Sequence, residues 1–236
     1  MLLLLMGCPQ QTPEEVTISG YVSDNPGSTN PLEGVTVSVM DLTFEEQDSV
    51  VTDAEGFFSV VTTAGVPVYF DLQAEGYART AHSGNAGLND WTVALGQLWL
   101  ESEDDLSELQ ALYAGCPGVG EEGGLIGGEV RFWLEGYEPD DGAWPLATTA
   151  FARAYSSEGD SFDSCHLNEE GTAYDPEALV TGQSGQYAIF GGPAGPVTLT
   201  VGYVIEEQPT WAAEYQIYVP DGGIAPLWPS YVPFPG

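Results

Sequence analysis

The sequence has no lysine, and besides two histidines its only basic side chains are Arg79, Arg131 and Arg153. Asp and Glu total 36, giving a formal net charge of −33. A chain this acidic repels phosphate backbones, which excludes nucleic acid and anionic lipid headgroups as partners. Long apolar runs are missing too: Met1–Met6 falls far short of the ~20 apolar residues a spanning helix needs. There is no Gly-rich phosphate loop, no HExxH and no GxSxG. Carboxylates are plentiful, but no pair is singled out for glycoside hydrolysis. Helical periodicity is scarce. What is present is 30 Gly, 17 Pro and 43% hydrophobic residues, a composition that builds cores from short strands joined by many turns.

The strands repeat. Thr52, Gly56, Phe58 and Val60 recur in spacing as Thr181, Gly185, Tyr187 and Ile189. Pro67, Val68, Phe70 and Leu72 fall on Pro196, Val197, Leu199 and Val201, and Ile18, Gly20 and Val22 fall on Ile126, Gly128 and Val130. Self-similarity at so long a period marks two copies of one β unit. The copies are unequal: Gly20 and Gly56 are 36 residues apart, Gly128 and Gly185 are 57. In the first unit, 16–100, strands are expected over Val16–Val22, Gly34–Val39, Thr52–Val61, Val68–Ala74 and Trp91–Leu95, with Trp91, Val93 and Leu95 on one face. The second unit, 125–225, reads as strands over Ile126–Leu134, Thr149–Tyr155, Gln186–Phe190, Val197–Val204 and Tyr215–Val219. It carries an acidic insertion at 156–179.

Between them, 101–124 holds the one clear helix, Ser102–Gly115, and a short Gly-rich link, Gly118–Gly124, expected to be flexible. Ser102 with Asp105 makes a capping box, Glu103–Asp105 suit the positive end of the helix dipole, and Leu106, Leu109, Leu112 and Tyr113 form one apolar stripe. The stripe is expected to pack on a neighbouring sandwich; a partner-binding helix is the alternative.

The pattern on Gly20, Val22, Gly34, Val35, Val37, Thr52, Asp53, Gly56, Phe58, Val60, Gly76 and Tyr77 resembles the carboxypeptidase regulatory-like domain. That resemblance implies an all-β fold, two tandem transthyretin-like (prealbumin-like) β-sandwiches joined by one short helix. It also implies a non-catalytic module supplying stability, spacing or a binding face. The second copy matches more loosely, with Gly182 where the first has Asp53.

Residues 1–8 end in Leu5-Met6-Gly7-Cys8, which resembles a bacterial lipoprotein signal with Cys8 as the lipidated residue. The apolar run is shorter than a full leader, so the natural start is expected upstream of Met1. Residues 9–15 then read as a tether, and the soluble remainder as held to the outer membrane of a Gram-negative bacterium, facing the periplasm or the surface. With Cys8 lipidated, Cys116 and Cys165 remain as an even pair and are expected to form a disulfide. Catalysis by Cys165 with His166 is disfavoured, because sequence neighbours on a strand point to opposite faces and no cation lowers the thiol pKa. Zinc on Cys116, Cys165, His166 and His82 fits none of the usual ligand spacings.

No cofactor is expected, with calcium the one metal to consider. Its candidate ligands are Asp24, Glu138, Asp140, Asp141, Glu158, Asp160 and Asp163, none in EF-hand spacing. Residues 226–236 carry no charge, and Trp228, Tyr231 and Phe234 recur every third residue. In a polyproline II tail that would put three rings on one face, packed on the second unit or docking a partner. The function expected is a structural or binding lipoprotein whose partner is an envelope protein or a glycan. A calcium-dependent adhesin or carbohydrate-binding lipoprotein using Trp144, Trp211 or Trp228, and an enzyme accessory subunit, are the alternatives.

Overall fold

A computed structural model describes residues 14–133, 145–205 and 208–233. Cys8, Glu138, Asp140, Asp141, Trp144 and Phe234 lie outside the described residues, as do the side chains of Trp228 and Tyr231. The chain is all-β, two tandem sandwiches joined by one short helix.

The first sandwich contains β1 (Glu15–Ser23), β2 (Thr36–Met40), β3 (Glu46–Val51), β4 (Phe57–Thr63), β5 (Pro67–Gln73), β6 (Thr80–Asn85) and β7 (Trp91–Trp99). Helix α1 (Glu103–Leu112) follows. The second contains β8 (Gly124–Trp133), β9 (Ala150–Ser156), β10 (Ser161–Asp163), β11 (Gln186–Gly192), β12 (Gly195–Ile205), β13 (Gln208–Val219) and β14 (Ile224–Pro233). In the first, the sheet β4-β1-β7 faces β6-β5-β2-β3. In the second, β11-β8-β14 faces β10-β9-β12-β13. The two orders correspond strand for strand.

The correspondence reaches single hydrogen bonds. The buried hydroxyl of Thr52 accepts from Val35 N–H (2.9 Å) and donates to Leu32 C=O (2.7 Å). The buried hydroxyl of Thr181 accepts from Ala150 N–H (3.0 Å) and donates to Ala147 C=O. Val22 N–H donates to Gly56 C=O at 3.0 Å, and Val130 N–H to Gly185 C=O at 2.9 Å. Gly56 and Gly185 sit at φ +72° and +66°, where a Cβ would clash, so each turn requires glycine. The partners of the threonine are 17 residues away in the first copy and 31 in the second, which places the larger insertion between β9 and the Thr181 turn.

Each unit buries its own core. Val35, Val37, Val39, Phe58, Val60 and Phe70 are buried in the first, and Ile126, Tyr187, Ile189, Leu199 and Val201 in the second. The apolar stripe of α1 packs on a neighbouring sandwich, as expected, and builds a third core. Tyr113 and the leucines of α1 pack on Leu125, Ala188, Phe190 and Ile224 of the second sandwich, with Cys116, Cys165 and Leu167 beside them. The helix therefore docks on one sandwich, on the sheet face opposite that sandwich's core.

Three expectations are corrected. Residues 224–233 form strand β14, parallel to β8, with Ile224 opposite Leu125 and Leu227 opposite Gly128; the polyproline II tail does not hold over 226–233. Its counterpart β7 is likewise parallel to β1. Second, Leu95 turns outward while Val93 and Leu98 are buried, because a bulge at Gly96 (φ +86°) resets the alternation. Third, the Gly-rich link is packed: a Cβ on Gly118 would meet Phe190 C=O at 2.4 Å.

The two sandwiches also share a sheet. The first β14 residue, Ile224, pairs with Thr80 of β6, giving a continuous seven-stranded order β11-β8-β14-β6-β5-β2-β3. Ile224 N–H donates to Arg79 C=O at 2.7 Å. The strand β5 is consequently buried on both faces. Val68, Phe70 and Leu72 enter the first core, while Tyr69 and Asp71 are buried on the outer face, Tyr69 against the second sandwich. There Phe44 stacks on both Tyr69 and Tyr218, with ring centroids 5.1 and 5.2 Å apart. Asp71 is held bidentately by Arg79, at 2.8 and 2.6 Å.

Candidate functional site

The sequence-derived candidates divide sharply. Cys116 and Cys165 form the expected disulfide, with Cα atoms 6.1 Å apart and both residues buried. It joins the segment after α1 to the 156–179 insertion. That insertion runs along the free edge of β11, where Cys165 and Ala188 exchange backbone hydrogen bonds of 2.7 and 3.1 Å. Tyr174 N–H then reaches Leu112 C=O at 2.9 Å. Among the calcium candidates, Asp163 pairs with Arg153 and Asp24 accepts from the Asn30 side chain. The backbone N–H groups of Glu158 and Asp160 both donate to Ser156 Oγ. Among the described residues, no three His, Cys, Asp or Glu side chains converge to hold a metal ion.

Both histidines are structural. His82 Nε2 lies 2.8 Å from Trp99 C=O, and His166 Nε2 lies 2.9 Å from Ser164 Oγ. Burial pushes each imidazole down to about 4, so both are neutral at pH 7.

A hollow that no sequence motif announced lies where α1 spans the junction. In β8, Ile126 and Gly128 face the second core, so Gly127 faces the opposite way. Gly127, Ala188 and Pro226 give this outer sheet face a floor of small side chains, and Leu125 and Ile224 extend it. Leu109 and Tyr113 of α1 form one wall; Pro26, Trp99 and Glu101 of the first unit form the other. The hollow is partly open and its volume is about 260 Å³. The hollow continues in two directions. Past Trp99 it meets Pro26, Gly27, Gly96 and Gln97, and past Glu101 it meets Asp105 and Glu108.

Glu101 is the carboxylate of the central hollow. Burial lifts its pKa above the usual carboxylate range, Asp105 adds to the rise, and a hydrogen bond from the Trp99 side chain opposes it. All three arginines are engaged elsewhere: Arg79 with Asp71, Arg131 with Glu129, Arg153 with Asp163. The aromatic lining, small floor, Glu101 and Gln186 make a concave, mostly apolar site with few polar groups that can orient a ligand. The sequence held one usable signal for it, an outward-facing strand position occupied by Gly127 where a polar side chain is usual.

No protein-family model matches the chain, and no curated protein matches it. Solved structures similar to it include GBS52, the minor pilin of Streptococcus agalactiae, at 11% identity and a TM-score of 0.31 over 94% of this chain and 98% of that one. The Bacillus anthracis TIE protein is similar at 10% identity and a TM-score of 0.32 over 93% of this chain. A type II cohesin-X-dockerin complex from Acetivibrio cellulolyticus contains a chain similar at 18% identity over 38% of this one, with a TM-score of 0.29. The chain spans 34% and 59% of the length of the last two. These likenesses carry no argument about what this chain does.

Proposed function

We propose that this chain is a non-catalytic cell-envelope module, tethered to a membrane surface through Cys8 and acting as a rigid two-sandwich spacer or binding element. Its two units resemble carboxypeptidase regulatory-like domains, the Leu5–Cys8 motif favours a lipoprotein, and Pro9 in place of an Asp after the cysteine favours the outer membrane of a Gram-negative bacterium. The observation that carries the reading is the buried Cys116–Cys165 disulfide. Such a bond persists in an oxidising compartment and not in a reducing cytosol. It sits where it stiffens the junction, between the docked helix and the insertion of the second sandwich. A glycan-binding role is the second reading. It is favoured by Trp211, 47% exposed, edge-on to Phe151 at 4.6 Å and under the Arg153 guanidinium.

Fractionation of a Gram-negative host expressing the chain behind a full leader tests the reading. Wild type is expected in the membrane fraction with its cysteine pair oxidised, and Cys8→Ala in the soluble periplasmic fraction, still oxidised. Identical partition of both into the soluble fraction would remove the anchor; reduced thiols in both would remove the envelope address.

A further inference from the structure

The junction hollow has a shape and a charge that no account of the fold requires. A sheet face covered by a helix is normally closed by side chains at close-packed density. Here the floor carries Gly127, whose absent Cβ would find a single heavy atom, Tyr187 C=O at 4.0 Å, within contact range. The space above it is therefore open, and Ala188 and Pro226 beside it are too short to fill it. Its volume of about 260 Å³ lies just below the ~300–1,000 Å³ of pockets for drug-sized molecules. It suits a small ligand and not a folded partner.

The electrostatics name the ligand's sign. Glu101 stands in the wall of the hollow, and Asp105 and Glu108 line its continuation. The described arginines are all spent on other carboxylates. Trp99 and Tyr113 line the hollow and are themselves buried, 7% and 2% exposed, so each presents only a narrow aromatic margin to it, which attracts organic cations as well as apolar groups. An anion would meet only repulsion. A neutral apolar ligand would leave the partly desolvated carboxylate with its Trp99 hydrogen bond but no counter-charge, at a cost in binding.

From the small floor, the aromatic lining and a Glu101 that faces no described cation we infer that the hollow binds a small organic ammonium ion bearing an apolar body. The apolar part lies on Gly127 and Ala188 between Trp99 and Tyr113, and the ammonium group faces the Glu101 carboxylate. This site is independent of the membrane anchor, so the fractionation result leaves it untouched.

Isothermal titration of the full chain tests it, with hexylammonium as probe, hexanol as the uncharged control and hexanoate as the anionic one. Hexylammonium is expected to bind saturably at one site, at least ten-fold tighter than hexanol, with no binding of hexanoate. Glu101→Gln keeps the shape and removes the charge; it should weaken the ammonium about ten-fold and leave hexanol unchanged. Gly127→Val fills the hollow from its floor and should abolish binding of both, with an unchanged thermal unfolding midpoint. Absence of saturable ammonium binding overturns the proposal. So does equal affinity for hexanol, or full binding by Gly127→Val. Should Gly127→Val unfold, Glu101→Gln decides alone: undiminished affinity overturns the proposal.

Discussion

At the scale of single residues, the two threonines before the positive-φ glycines do more than their neighbours. Each hydroxyl satisfies one backbone donor and one backbone acceptor inside the fold. A buried backbone group left unpaired costs about 1–3 kcal/mol, while the apolar isostere adds little in return. Thr52→Val and Thr181→Val should therefore each lower unfolding free energy by about 2 kcal/mol in urea titrations. Thr36→Val, at a half-exposed position of β2, should change it by less than about 0.5 kcal/mol. If all three variants match wild type, the threonine bridges are not what holds the turns. The repeat was legible in the sequence at these positions because a turn that needs both φ > 0 and a two-way hydroxyl admits few alternatives. Asp53, whose carboxylate accepts from Glu55 and Phe57 N–H, was free to become Gly182. Its job is done in an exposed loop, and in the second copy Ser184 Oγ accepts from Gln186 N–H.

At the scale of elements, strands with a buried alternating face were readable and those without one were not. β2 and β4 announce themselves by Val35, Val37, Val39, Phe58 and Val60. The edge strand β3, Glu46–Val51, shows no buried residue, so its polar, acidic sequence reads as loop. Its placement depends on pairing with β2 and not on its own pattern. β14 was misread for the opposite reason. Prolines at 226, 229 and 233 argue against a strand interior, yet the segment takes its conformation from β8, pairing with β6 only at Ile224. The candidate hollow was the least readable feature, because Gly127 and the Trp99–Glu101 segment belong to different units and meet only when β14 pairs with β6 and α1 docks beside them. That docking rests on the disulfide. Cys116 and Cys165 are separated by 49 residues, and closing such a loop stabilises by about 4 kcal/mol on the chain-entropy model. The double variant Cys116→Ala/Cys165→Ala should lose stability on that order. Amide exchange should quicken first in α1 and in residues 165–174, with the β1–β7 core protected as before. Uniform loss of protection across both sandwiches would show that the bond stabilises the whole molecule and not the junction.

At the scale of the whole molecule, a net charge of −33 and two buried neutral imidazoles pull stability in opposite directions as pH falls. Protonating carboxylates relieves self-repulsion, and free Asp and Glu side chains ordinarily take up protons only at about pH 4. The histidines respond earlier. Each is held near 4 in the folded chain against 6.5 unfolded. Between these values the unfolded state binds more protons than the folded state, so unfolding free energy rises with pH and falls on acidification. Each group contributes about 3 kcal/mol across that window at ~1.4 kcal/mol per unit of pKa difference. Glu101 has the opposite sign, since its pKa is raised on folding, but it acts only near and below its own pKa. The histidines therefore dominate between pH 6.5 and 5, and stability measured by urea unfolding should drop over that interval by a few kcal/mol. The loss should precede any gain from carboxylate protonation, so the curve should fall first and flatten below pH 4.5. Added salt screens the surface charge and should raise the curve while leaving its slope between pH 6.5 and 5 in place, because the imidazoles are buried away from the ions. A flat profile over that interval would mean that both imidazoles take up protons in the folded state, and about half the slope that one of them does. The tight placement of His82 against Trp99 C=O and of His166 against Ser164 would then be wrong.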